Sequence, residues 1–172
     1  DMALQTILGH RPTRAERPSM KLLMAWLQEQ TKSYQTLYAK VFVNEAPDVD
    51  QAAKQKRWLE FLTAEGFEYL CKPRLTPGSD VDEDMLAYLE LFRTQHYITE
   101  VIVASNDGQC FNYPLEVIAK AGILVTVIGF EQRPSVLTRN PLFRFIPLPS
   151  IPGVLRSLPT VPTTEEAPQP ST

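Results

Sequence analysis

Two short apolar runs, Val101-Ile102-Val103-Ala104 and Ile123-Leu124-Val125-Thr126-Val127-Ile128, bracket a stretch of helical spacing, and that alternation narrows the fold more than any other feature. Both runs are too short for core helices and rich in β-branched residues, so they read as strands buried on two faces, the parallel-sheet type. Parallel strands need a crossover between them, and the pattern from Asn112 to Ala121 predicts a helix there. The first run stops on the polar turn Ser105-Asn106-Asp107-Gly108-Gln109. In open parallel sheets ligands collect beyond the carboxyl ends of the strands, so this turn is a candidate site.

The same alternation runs along the chain. Met2, Leu4, Ile7 and Leu8 predict a short helix stopped by Gly9, and an Arg-bearing loop (Arg11, Arg14, Arg17) follows. Leu22, Leu23, Trp26 and Leu27 predict a helix with one inward face, and Tyr38 to Val43 a strand. Ala52, Ala53, Trp58, Leu59 and Leu62 mark a further helix with Gly66 at its end, and Phe67 to Lys72 is the next strand. A helix over 80–95 buries Met85, Leu86, Leu89 and Phe92, and a last short strand runs from Phe143 to Ile146. Strands alternating with helices imply right-handed crossovers and a three-layer α/β/α sandwich with a mainly parallel sheet. Prolines crowd the chain from Pro147 onward, so 1–151 reads as one domain and 152–172 as a Pro-rich tail or linker.

Composition removes several function classes. The net charge is −3, so there is no overall basic footprint, and nucleic-acid binding would need a local patch. The two cysteines, Cys71 and Cys110, have no CxxC companion, which argues against structural zinc and fits a reducing cytoplasm. No apolar segment reaches the roughly 18 residues of a membrane span. There is no GxSxG for serine hydrolysis, and the seven glycines never form GxGxxG. His10 and His96 stand alone as surface or structural residues.

A second polar constellation, Ser79-Asp80-Val81-Asp82-Glu83-Asp84, opens the helix over 80–95. Ser79 is a good N-cap and acidic residues suit a first turn, so helix capping alone accounts for the cluster taken by itself. Taken with Asp107 it has chemical meaning. A helix following one strand and the end of another strand open onto the same rim, where Asp82 and Asp107 would converge on one hard divalent ion. Mg²⁺ or Mn²⁺ held there would polarise a phosphate and acidify a bound water, giving hydrolysis without a Ser or His nucleophile. Asp80 and Asp84 are secondary ligands. Lys72 and Arg74 would supply a phosphate-facing rim, and Ser105 and Asn106 would orient water or ligand.

The order of elements resembles the NYN domain, a branch of the PIN-like metal-dependent ribonucleases, across the chain to about Ile151. Gly66-Phe67-Glu68-Tyr69-Leu70-Cys71-Lys72-Pro73 resembles the family's helix, Gly, strand, Lys-Pro passage. Val81-Asp82 resembles its Val-Asp helix start, which supplies one metal carboxylate, and Ser105-Asn106-Asp107-Gly108-Gln109 its Ser-Gly-Asp-x-Asp turn. Two departures stand out. Gln109 replaces the second Asp of that turn, and Phe111 falls one place late. The family also begins with a central strand that ends in an Asp-x-x-Asn motif. Here Asp1-Met2-Ala3-Leu4 resembles the helix just after it, so the resemblance implies that this strand lies ahead of Asp1 and that the domain is N-terminally truncated.

What the resemblance implies is a cytoplasmic RNA endonuclease-like hydrolase. Asp82 and Asp107 would be catalytic and metal-binding with Asp84 and Asp80, and Ser105, Asn106, Gln109, Lys72 and Arg74 would meet substrate. Its partners would be single-stranded RNA and, with less to define it, a second copy of the chain; no membrane is involved. The alternative is a catalytically degenerate NYN domain acting as an RNA-binding or protein-interaction module, a reading that Gln109 favours. A phospho-receiver domain fits poorly, since the strand ending at Ile128 runs into Gly129-Phe130 with no Lys.

Overall fold

The computed structural model of the chain describes residues 2–33, 35–73, 81–95, 97–106 and 108–156. Its elements follow in the order α1 (Met2–Leu8), α2 (Met20–Gln30), β1 (Lys40–Asn44), α3 (Val49–Ala64), β2 (Glu68–Lys72), α4 (Asp82–Arg93), β3 (Glu100–Ala104), α5 (Gln109–Lys120), β4 (Leu124–Gly129), α6 (Val136–Arg139) and β5 (Arg144–Pro147). A single 3₁₀ turn, Leu148–Ser150, follows β5. Every strand pair is parallel: β1 with β2, β3 with β4, and β4 with β5. The chain is an α/β fold with helices on both faces of its parallel strands.

Local chemistry explains where the elements start and stop. Ser19 and Asp48 cap α2 and α3, each side chain accepting from a backbone N–H of the first turn. Gly66 ends α3 at φ +95°, and the Phe67 N–H reaches back to the Leu62 carbonyl at 3.0 Å. A left-handed glycine with that bond is the usual way to turn a helix into the next strand. Helix α5 starts at Gln109, three residues before the sequence pattern suggests, because buried Phe111 extends the stripe of Leu115 and Ile118 backward by one turn.

Strand alternation sorts the core into layers. Val101, Val103, Val125 and Val127 face one way, against Leu89 of α4, Phe111, Leu115 and Ile118 of α5, and Leu137 of α6. Ile102, Ile128 and Ile146 face the other way, toward Leu4 of α1 and Leu23 and Leu27 of α2. Val41, Val43 and Cys71 lie with Met24 of α2 and Leu59 and Leu62 of α3, whereas Phe42 turns to Tyr88 of α4 with ring centroids 5.3 Å apart. Thus α1, α2 and α3 cover one face and α4, α5 and α6 the other. Two sequence expectations of burial do not hold: Leu22 is 39% and Trp58 37% exposed, both at the edge of their helix's inward stripe.

The strands form two hydrogen-bonded groups, β1-β2 and β3-β4-β5. Helices α2 and α4 each pack on both groups, so the two lie in one layer with β1 and β3 as inner edges. No backbone hydrogen bond joins β1 to β3 among the described residues, and along most of their length they stand more than 8 Å apart. Paired strands run about 4.8 Å apart. The chain winds outward from this interval in both directions, through α3 to β2 and through α4 to β3 and β4. It is therefore the topological switch point of the fold.

Candidate functional site at the carboxyl rim

The carboxyl ends of the strands gather the heads of α4 and α5 on one face of the layer. Asp82 is the first residue of α4, and its Oδ2 lies 3.6 Å from the Sγ of Cys110 in the first turn of α5. That contact joins the heads of two helices that pack together through Leu89 of α4 and Phe111, Leu115 and Ile118 of α5. Three acidic residues, Asp82, Glu83 and Asp84, fill the first turn of α4, where the exposed N–H groups favour negative charge. Its N-cap is Val81, which makes no side-chain cap. Ser79, the cap expected from sequence, lies outside the described residues.

Asp84 is already engaged. Its Oδ2 accepts from Lys72 Nζ at 2.8 Å, joining the end of β2 to α4, and both side chains are roughly one-quarter to one-third exposed. An ion pair in that setting is worth at most about 1 kcal/mol, but it neutralises one carboxylate and occupies the lysine expected to face phosphate. Asp82 and Lys72 are therefore brought to one rim, with Asp84 and Lys72 paired to each other.

Asn106, expected to orient ligand, is a strut. Its amide nitrogen donates to the carbonyls of Phe130 at 3.1 Å and Arg133 at 2.8 Å, and its oxygen accepts from the Phe130 N–H at 2.9 Å. The side chain thus ties the end of β3 to the loop leaving β4. It lies so close to Gly129 that a Cβ there would sit 2.9 Å from Asn106 Oδ1. Ser105 is half-buried at the same rim, and Gln109 is exposed at the head of α5. Asp107, Asp80, Arg74 and His96 lie outside the described residues.

Among the described residues no group of three or more His, Cys, Asp or Glu side chains forms a metal-holding cluster. Neither cysteine forms a disulfide among the described residues: Cys110 is exposed and Cys71 half-buried, the Cys71 thiol pKa being pushed upward by burial and then by Glu45.

A cavity of about 740 Å³ opens on the far side of the α5 head, reaching from Asn106 and Gln109 to Arg139 and Leu142. Its floor is a network among Asn112, Glu116 and Asn140. The Asn140 amide donates to Asn112 Oδ1 and Glu116 Oε1, both at 2.9 Å, and Asn112 donates to Glu116 Oε1 at 2.9 Å. These bonds, with Lys120 adding a smaller contribution, hold the Glu116 carboxyl below the ordinary glutamate range. Sequence reasoning missed this cavity because α6 is only four residues long and has no periodicity to detect. Its signal was Ser135, which forms a capping box with Thr138.

No family model matches the chain, and no curated protein matches it. A solved structure does: a protein of unknown function from Vibrio parahaemolyticus RIMD 2210633, with a TM-score of 0.61 and 21% identity over 78% of this chain and 81% of that one. At that identity the likeness is one of fold.

Proposed function

We propose that the domain is an NYN-type, PIN-like hydrolase that cleaves single-stranded RNA through an acidic Mg²⁺ or Mn²⁺ site, with Asp82 and Asp107 as its ligands. The observation that carries the reading is the 3.6 Å contact between Asp82 and Cys110. It sets the acidic head of α4 against the α5 head that begins two residues after Asp107, at the carboxyl rim where parallel α/β folds bind ligands.

When bound, the ion would polarise the scissile phosphate and lower the pKa of a water. The chain's own residues do the rest. Lys72 pairs with Asp84 and neutralises that carboxylate, and Asp82 and Asp107 are the ligands proposed for the ion. Asn106 fixes the end of β3 and so the start of the turn that follows.

The Lys72–Asp84 pair and neutral Gln109 also favour the second reading, an RNA-binding domain that has lost its catalysis. Calorimetry separates the two. The parent protein titrated with Mn²⁺ is expected to bind weakly and Asp107→Asn to lose most of that heat, since one carboxylate is half of a sparse site. Equal heats from the two proteins would rule out the metal site.

A further inference from the structure

We propose that the outer edge of β2 is where two copies of this chain pair, the strand of one running antiparallel to the strand of the other about a two-fold axis at Leu70. The proposal goes beyond the hydrolase reading and does not depend on it.

The first observation is an open edge. Among the described residues β2 is paired on one side only, to β1. The Glu68 N–H donates to the Ala39 carbonyl and the Lys72 carbonyl accepts from the Glu45 N–H, both at 2.8 Å, so by strand alternation Glu68, Leu70 and Lys72 direct their backbone groups inward. The N–H and C=O groups of Tyr69 and Cys71 therefore point outward, and none of them has a partner among the described residues. Such a row is a template for another strand, and proteins guard it with charge or proline. Here the centre of the edge is Tyr69-Leu70-Cys71, with no charge, and Tyr69 is 46% exposed.

Charge decides what fits. The two charges of β2 stand at its ends with opposite signs, Glu68 and Lys72, so an antiparallel copy centred on Leu70 puts each glutamate directly opposite the other copy's lysine. Opposite charges facing each other across strands stabilise a pair and like charges weaken it. Within one copy Lys40 Nζ lies 3.1 Å from Glu68 and Lys72 Nζ 2.8 Å from Asp84, and the Glu68 side chain is 70% exposed. Pairing would join these bonds in a line of alternating sign: Lys40, Glu68, then Lys72 and Asp84 of the second copy.

Backbone geometry selects the same register. Centred on Leu70, the outward groups of Tyr69 meet those of Cys71 twice, giving four hydrogen bonds, and Leu70 meets Leu70 at the axis. The next pair outward would be Phe67 with Pro73, where the Phe67 N–H already donates to the Leu62 carbonyl and proline has no N–H, so the ladder ends there. Centring on Tyr69 instead sets Glu68 against Leu70, and centring on Cys71 sets Lys72 against Leu70; either slip loses both charge pairs. Antiparallel pairing also turns the two carboxyl rims to opposite sides, leaving each Asp82 uncovered.

The test is sedimentation equilibrium of the full-length protein from about 1 to about 100 μM, a range that resolves weak dimers. The parent is expected to dimerise. Tyr69→Pro removes an outward N–H and spares the bonds to β1, so it should keep the fold, lose two of the four intermolecular bonds and raise the dimer Kd at least about tenfold. Glu68→Lys should also weaken the dimer, and its residual association should strengthen with salt as the new repulsion is screened. In a Cys110→Ser background, Leu70→Cys should crosslink two copies under mild oxidation, because Cα atoms of a non-hydrogen-bonded pair stand about 4.5 Å apart, within disulfide reach. Glu68→Cys should not. A parent that stays monomeric, a folded Tyr69→Pro that associates like the parent, or crosslinking through Glu68→Cys rather than Leu70→Cys would each overturn the proposal. Should Tyr69→Pro fail to fold, Glu68→Lys decides, and an unchanged Kd would overturn it.

Discussion

Gly108 shows how tightly single residues are constrained near the rim. Its φ of −140° is open to any residue, so backbone strain is not the reason for glycine here. Space is: a Cβ would lie 2.2 Å from Leu137 Cγ and 2.6 Å from Cδ1, and Leu137 is fully buried. Gly108→Ala is therefore expected to cost about 1–3 kcal/mol, the range of overpacked cores. Thermal unfolding checks this, and the same change made in a Leu137→Ala background should cost little more, because the colliding atoms are gone. Asn106 teaches a related lesson about legibility. A polar residue after a parallel strand reads in sequence as a ligand contact, yet three bonds to the loop after β4 occupy its amide. Sequence spacing cannot reveal partners that lie 24 and 27 positions away.

At the scale of elements, what could be read in advance was what had a period. Helices α2 to α5 and strands β1 to β5 all follow apolar patterns that the sequence displays, and the fold class came from their alternation. What escaped was held by particular hydrogen bonds. Helix α6 depends on the capping box of Ser135 and Thr138, and its junction with α5 depends on Glu116, Asn112 and Asn140. That junction makes a pH prediction. Glu116 has a folded-state pKa below its ordinary value of 4.5, so its bonds add stability that is complete above that value and is lost as pH falls through the lower folded one. Glu116→Gln should remove this dependence. Melting temperatures of parent and variant should then differ near neutrality and converge below pH 4.5; a gap that stays constant with pH would show that the carboxylate's charge contributes nothing.

For the whole molecule, the layer of parallel strands was legible from composition and period, whereas neither of these says where the layer divides, since strand pairing follows from winding direction. The division matters because it puts the switch point between the two inner edges, and the Asp82 rim stands on the carboxyl side of the same layer. Fold likeness to a structure of unknown function adds architecture and leaves chemistry to the residues. The central claim is that Asp82 and Asp107 hold a metal ion that drives RNA cleavage. Its most direct measurement is the rate at which full-length protein cuts a labelled single-stranded RNA in Mg²⁺ or Mn²⁺, compared with Asp82→Asn and Asp107→Asn. The account predicts metal-dependent cleavage by the parent and a loss of at least about 10²-fold in each variant, as expected when ion-borne charge stabilisation is removed, with melting temperatures held or raised. Cleavage that persists in either variant, or a parent that binds RNA but never cuts it with either metal, would contradict it.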